Sequence, residues 1–142
     1  VKYWDSSAMI PLLISEKLSP EIKSRLHADP EMVAWWGAVV ECASALNRKE
    51  REGALSRVAL TEGMKRLKDL RLSWIEVEPS EKVRESALRL LRVHSLRAAD
   101  SLQLAAALVA NEQQADILEF VCLDERLRSA AEREGFSLLP SK

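Results

Sequence analysis

The sequence predicts an α/β protein, a three-layer α/β/α sandwich built around a mainly parallel sheet. Three observations carry that expectation. Short apolar runs alternate with longer stretches of helical period, the pattern of strands whose two faces are both covered by helices. The 142 residues are 47% hydrophobic and 30% charged, enough apolar side chain for one real core. No repeat, Gly/Ser linker or low-complexity run divides the chain, so residues 1–142 are expected to form a single domain.

The elements follow in order. Val1–Trp4 is a short β-prone run that stops at Asp5, and Ser6–Ser15 reads as a helix with Ala8, Met9, Leu12 and Leu13 on one face. Pro20 suits the first turn of a second helix, Glu21–Ala28. Met32–Trp36 is the next strand, ended by Gly37. From Ala38 the spacing of Val39, Cys42, Ala43 and Leu46 is helical and runs on until Gly53. Ser56–Leu72 is a further helix, with Val58 or Ala59, Leu67 and Leu70 inward and Arg57, Lys65, Arg66, Lys68 and Arg71 outward. Trp74–Val77 is a strand, and Ser80–Glu81 starts a helix that reaches about His94. Ala98–Ala110 is a strongly apolar helix, Phe120–Leu123 a strand stopped by Asp124, and Glu125–Glu134 a helix closed by Gly135. Phe136–Leu139 is the last strand.

Composition removes several function classes. Lys and Arg number 21 against 22 Asp and Glu, so overall basicity does not argue for nucleic-acid binding. The longest uncharged apolar stretches, Val33–Val40 and Ala105–Ala110, fall well short of the ~20 residues that cross a bilayer. No charged-then-apolar leader opens the sequence, which points to a cytoplasmic protein. Cys42 and Cys122 stand far apart in apolar surroundings and read as buried thiols. His27 and His94 lack partners at ligand spacing, so neither a histidine metal site nor a Ser-His-Asp triad is expected. The four glycines are dispersed and build no phosphate loop, which argues against nucleotide triphosphate chemistry.

Four carboxylates stand out instead. Asp5 and Asp124 each follow a predicted strand, at the sheet edge where ligands of parallel α/β folds bind. Glu41 and Asp100 lie early in apolar helices, each the lone acid of its run. Helix capping is the plainer use for Asp5 and Asp124. It suits Glu41 and Asp100 less well, because an unpartnered buried carboxylate is costly. Four such acids at one edge repel one another unless cations lie between them, and Mg²⁺ or Mn²⁺ is the natural match for oxygen ligands. A carboxylate-held metal of this kind suits phosphodiester hydrolysis. Arg48, Lys49, Arg51, Arg57, Lys65, Arg66, Lys68 and Arg71 crowd the middle third, either as a basic wall for a phosphate backbone or as a solvated helix face.

Read together, four segments resemble the PIN-domain nucleases, most closely the VapC-type toxins of toxin–antitoxin pairs. They are Tyr3-Trp4-Asp5-Ser6-Ser7-Ala8-Met9-Ile10-Pro11-Leu12-Leu13, Val40-Glu41-Cys42-Ala43-Ser44-Ala45-Leu46, Leu96-Arg97-Ala98-Ala99-Asp100-Ser101-Leu102-Gln103-Leu104-Ala105, and Phe120-Val121-Cys122-Leu123-Asp124-Glu125-Arg126-Leu127. The resemblance implies a metal-dependent endoribonuclease with Asp5, Glu41, Asp100 and Asp124 as catalytic metal ligands. Ser7, or its neighbour Ser6, would occupy the family's hydroxyl position. It also implies the PIN-like α/β/α sandwich, an RNA substrate, a cognate antitoxin protein and a homodimer. Trp35, Trp36, Met64, Leu67 and Leu70 add apolar bulk that a small monomer hides poorly, which supports the dimer. Trp35-Trp36 departs from the family pattern, and packing against a helix or a dimer partner suits it better than stacking on a base. Two other functions compete: a PIN-like nuclease in RNA processing or on DNA without an antitoxin, and a non-catalytic binding protein that keeps the fold.

Overall fold

The computed structural model describes residues 1–141. Its elements are β1 (Lys2–Trp4), α1 (Ser6–Leu13), α2 (Ser19–Ala28), β2 (Met32–Trp35), α3 (Ala38–Arg51) and α4 (Arg57–Ser73). They continue with β3 (Ile75–Val77), α5 (Glu81–Val93), α6 (Ala98–Asn111), β4 (Glu119–Val121), α7 (Glu125–Arg133) and β5 (Ser137–Leu139). The strands form one sheet in the order β3-β2-β1-β4-β5, and every pairing is parallel.

That order decides where the site lies. The chain builds outward from β1 to β2 and β3, then returns to place β4 and β5 on the other side of β1. The reversal falls between β1 and β4, whose C-terminal ends therefore open a crevice. Asp5 follows β1 and Asp124 follows β4 closely, so both acids stand at that crevice.

The three layers follow from the period of two in β1. Tyr3 enters one core with Val33, Phe120, Val83, Leu90, Leu104 and Leu127, under α5, α6 and α7. Trp4 enters the opposite core with Met9, Leu13, Ile22, Cys42, Leu46 and Leu67, under α1 to α4. Both side chains are wholly buried. Local signals set the helix starts: the Ser56 hydroxyl accepts from the Ala59 N–H and the Ser80 hydroxyl from the Val83 N–H.

Helix α4 turns Leu67 and Leu70 inward as expected, and of Val58 and Ala59 it is Ala59 that is half-buried. Val58 is exposed, while Gly63 is buried with Leu67 and the inward face carries Leu60, Met64 and Leu70 against the core. The reason is close approach. A Cβ at Gly63 would lie 3.2 Å from Ile14 Cγ2 and 3.3 Å from Leu46 Cδ1, so glycine brings α4 down onto α1 and α3. Arg66 is not purely outward, since it donates to the Leu13 carbonyl at 2.9 Å. Gly63→Leu is expected to overpack this contact and cost about 1–3 kcal/mol, read as a lower urea midpoint.

The apolar surplus invoked for a dimer is mostly covered. Trp35 and Leu67 are buried, Met64 and Leu70 pack on the core, and only Trp36 of the five is exposed. Exposed apolar residues gather instead on α5, at Leu88, Leu91 and Val93. Among the described residues no helix is long and apolar enough to cross a membrane.

Candidate active site

Each acid is positioned by the element it joins. Asp5 leaves β1 with its N–H on the Val121 carbonyl at 3.0 Å and caps α1, where Oδ2 accepts from the Ser7 N–H at 3.1 Å and from the Ser7 hydroxyl. Asp124 caps α7, its Oδ1 accepting from the Arg126 and Leu127 N–H groups at 3.0 and 3.1 Å. Asp100, in the first turn of α6, accepts from the Arg97 N–H through Oδ2 at 3.4 Å. Glu41, one turn into α3, accepts through Oε1 from the Ser6 hydroxyl at 2.8 Å and from Gln103 Nε2 at 3.1 Å. Capping therefore reaches Asp100 as well as Asp5 and Asp124, contrary to expectation, because its place in the first turn lets it turn back to the Arg97 N–H.

A common pattern runs through these contacts. Every acid is held through one oxygen, while Asp5 Oδ1, Glu41 Oε2, Asp100 Oδ1 and Asp124 Oδ2 accept no hydrogen bond from the described residues. The charges also act on one another around a closed ring: Glu41 feels Asp5 and Asp100, Asp5 feels Asp124, and Asp100 feels Asp124.

Burial and repulsion shift these groups in one direction. Desolvation raises Glu41 to about 7, against the hydrogen bonds from Ser6 and Gln103 and with help from the charges of Asp5 and Asp100. Asp5 and Asp100 are also raised, burial again being the first cause. The crevice thus gathers carboxylates whose charged forms are disfavoured, with Arg97 and Arg126 partly offsetting the charge at Asp100. The acids face one another without converging: among the described residues, no three His, Cys, Asp or Glu side chains lie close enough to share one ion. The donor set is nonetheless oxygen only, tethered on one side and electrostatically strained, which fits a hard divalent cation.

The two serines divide the hydroxyl role. Ser7 holds Asp5 and accepts from the Leu123 N–H at 2.9 Å, tying the ends of β1 and β4 together. Ser6 holds Glu41. Tyr3 and Gln103 lie within the segments that carry the resemblance, but sequence reasoning gave neither a role. The buried Tyr3 hydroxyl donates to Gln103 Oε1 at 2.7 Å, and Gln103 passes its own amide N–H to Glu41, so a hydrogen-bonded relay crosses the core. The available signal was a lone glutamine in the apolar run Leu102–Ala110, one turn beyond Asp100. Gln103→Leu would strand the Tyr3 hydroxyl and free Glu41. It is expected to cost about 1–3 kcal/mol in chemical denaturation, the penalty for an unsatisfied buried polar group.

Cys122 completes the setting, with its thiol 3.5 Å from Asp5 Oδ2. The open space beside the acids is a cavity of about 470 Å³ lined by Arg97, Asp100, Asp124, Glu125 and Arg126. Carboxylates and guanidinium groups thus share one wall.

No family model matches the sequence. The chain is 27% identical over 140 residues to Ribonuclease VapC45 of Mycobacterium tuberculosis, covering 99% of this chain and 95% of that protein. Its fold is similar to that of the Mycobacterium tuberculosis toxin VapC20, described as cleaving the sarcin–ricin loop, with a TM-score of 0.70, 17% identity and 96% of each chain covered. It is also similar to a chain of a toxin–antitoxin complex from Klebsiella pneumoniae, with a TM-score of 0.61, 17% identity and 87% of each chain covered. Along nearly its whole length, in sequence and in fold, the chain resembles the PIN-domain proteins of the VapC type.

Proposed function

We propose that this chain is a metal-dependent endoribonuclease that hydrolyses RNA phosphodiester bonds, acting as the toxin of a toxin–antitoxin pair. The observation that carries this reading is the ring of four carboxylates at the β1/β4 crevice, each held through one oxygen. Likeness to a ribonuclease over 99% of the chain supports the substrate class. Likeness of fold to a chain of a toxin–antitoxin complex supports an antitoxin as partner.

Asp5, Glu41, Asp100 and Asp124 would hold Mg²⁺ or Mn²⁺. Such an ion, when bound, acidifies water and balances phosphate charge. The chain's own groups do the rest. Ser7 fixes the Asp5 carboxylate, and Ser6 with Gln103 fixes Glu41, so the free oxygens need little reorganisation. Arg97 and Arg126 stand beside Asp100 and Asp124, where guanidinium groups can pair with the phosphate backbone. The antitoxin, the homodimer and a cytoplasmic setting belong to the same reading.

The test is an RNA cleavage map made with purified protein. Cleavage is expected with Mg²⁺ or Mn²⁺ and not with EDTA. Cleavage that persists in EDTA would remove the metal, and no cleavage of any RNA with either ion would overturn the nuclease.

A further inference from the structure

We propose that Trp36 and the cavity beside it form a base-stacking subsite for the RNA strand, next to the carboxylates; this rests on the nuclease reading above. Of the four tryptophans, Trp4 is 0%, Trp35 6% and Trp74 7% exposed, whereas Trp36 is 51% exposed. A large indole left half in water marks a contact surface more than an ordinary exposed leucine does.

The surroundings of the ring decide what it contacts. A cavity of about 490 Å³, within the range of small-ligand pockets, is lined by Trp36, Val40, Ala99 and Leu102, together with Glu41 and Arg48. It is mainly apolar, which suits a flat base. Glu41 belongs both to this cavity and to the carboxylate ring, so an occupant here adjoins the reacting phosphate. Arg48 is exposed and forms no ion pair with the described residues, which favours an anionic strand over an acid-free peptide. Trp36 also borders a second hollow of about 360 Å³ beside Pro79 and Arg84.

The subsite is preorganised. The Trp36 N–H donates to the Val77 carbonyl at 3.0 Å, pinning the backbone from which the ring projects. The neighbouring Trp35 indole, which also lines the cavity, lies so close to Gly37 that a Cβ there would sit 2.5 Å from Nε1. Glycine at that position is what lets the buried ring keep its place. Stacking on a fixed aromatic is tolerant of base identity, so the subsite would set register and affinity before sequence.

The experiment combines binding and kinetics. Single-stranded RNA in EDTA is expected to quench wild-type tryptophan emission, because Trp36 is the exposed indole. Trp36→Ala is expected to lose that quenching, bind about 5- to 100-fold more weakly and raise KM by a similar factor while kcat changes little. Trp36→Phe should restore most of the affinity. Arg48→Gln should bind less tightly and reduce the salt slope by about one. Wild-type affinity and KM in Trp36→Ala would overturn the subsite and leave the nuclease standing. Unchanged RNA affinity together with a loss of dimer in light scattering would make this face a contact between copies and also overturn it. A wild-type protein that neither binds nor cleaves RNA would remove both readings.

Discussion

Asp100→Asn is expected to lower RNA cleavage at least about 100-fold and to abolish Mn²⁺ binding in calorimetry, with the fold intact. Losing a metal ligand should cost no less than losing an outer partner of one, which already weakens metal sites about 10- to 100-fold. The structure says why the fold survives. Asp100 contributes one hydrogen bond to α6, from the Arg97 N–H, and the asparagine oxygen can accept it as well. Burial and the charge of Asp124 both raise the Asp100 carboxyl, so neutralising it relieves repulsion. The melting temperature should stay level or rise by up to about 3 °C. Asp116→Asn, which neutralises an exposed aspartate outside the ring, is the control and should cleave like the parent protein. Full activity in Asp100→Asn would place the chemistry elsewhere.

The metal-free protein is expected to lose about 3 kcal/mol of stability between pH 4.5 and 7.5. Glu41 is the main cause, because burial lifts its carboxyl from 4.5 to about 7. A carboxyl raised on folding binds its proton more tightly in the native state. Its contribution is therefore complete below the unfolded value and disappears as pH rises through about 7. Asp5 and Asp100 are raised too and act in the same sense. Asp29 and Glu134 act oppositely at lower pH. Lys2 holds Asp29 below the usual carboxylate range, and Arg89 and His94 lower Glu134, so their contributions grow as pH rises through the acid range. The result is a stability maximum near the bottom of the Glu41 window. Urea titrations in EDTA at half-unit steps measure it. Glu41→Gln should flatten the fall above pH 4.5, and Mg²⁺ should reverse it at pH 7.5 by binding the folded carboxylates. An identical slope in Glu41→Gln would show that another group carries the dependence.

The comparison of Asp5 with Trp36 shows where sequence reasoning ends. Asp5 was legible because a lone acid after a short apolar strand is a local signal, and a parallel sheet sends such positions to one edge. The same holds for Asp124, and the apolar periods of α1, α3 and α6 placed those helices within a few residues. Glu41 and Asp100 were legible as isolated acids in apolar runs. Trp35 and Trp36 are identical letters, yet one is buried and the other half exposed. They sit at the end of β2, where successive side chains take opposite sides and the strand gives way to Gly37.

Sequence alone therefore determined the fold class and the order of the elements, and singled out the four acids as candidates, since each is read from the local pattern of a segment. Only the tertiary structure decided that Ser6 serves Glu41 and Ser7 serves Asp5, that Gln103 links Tyr3 to Glu41, and that Gly63 lets α4 close on α1 and α3. Those partners stand far apart in sequence, apart from Ser7 and Asp5. Their meeting depends on strand order and on which face of each element turns inward, which one segment's pattern does not encode.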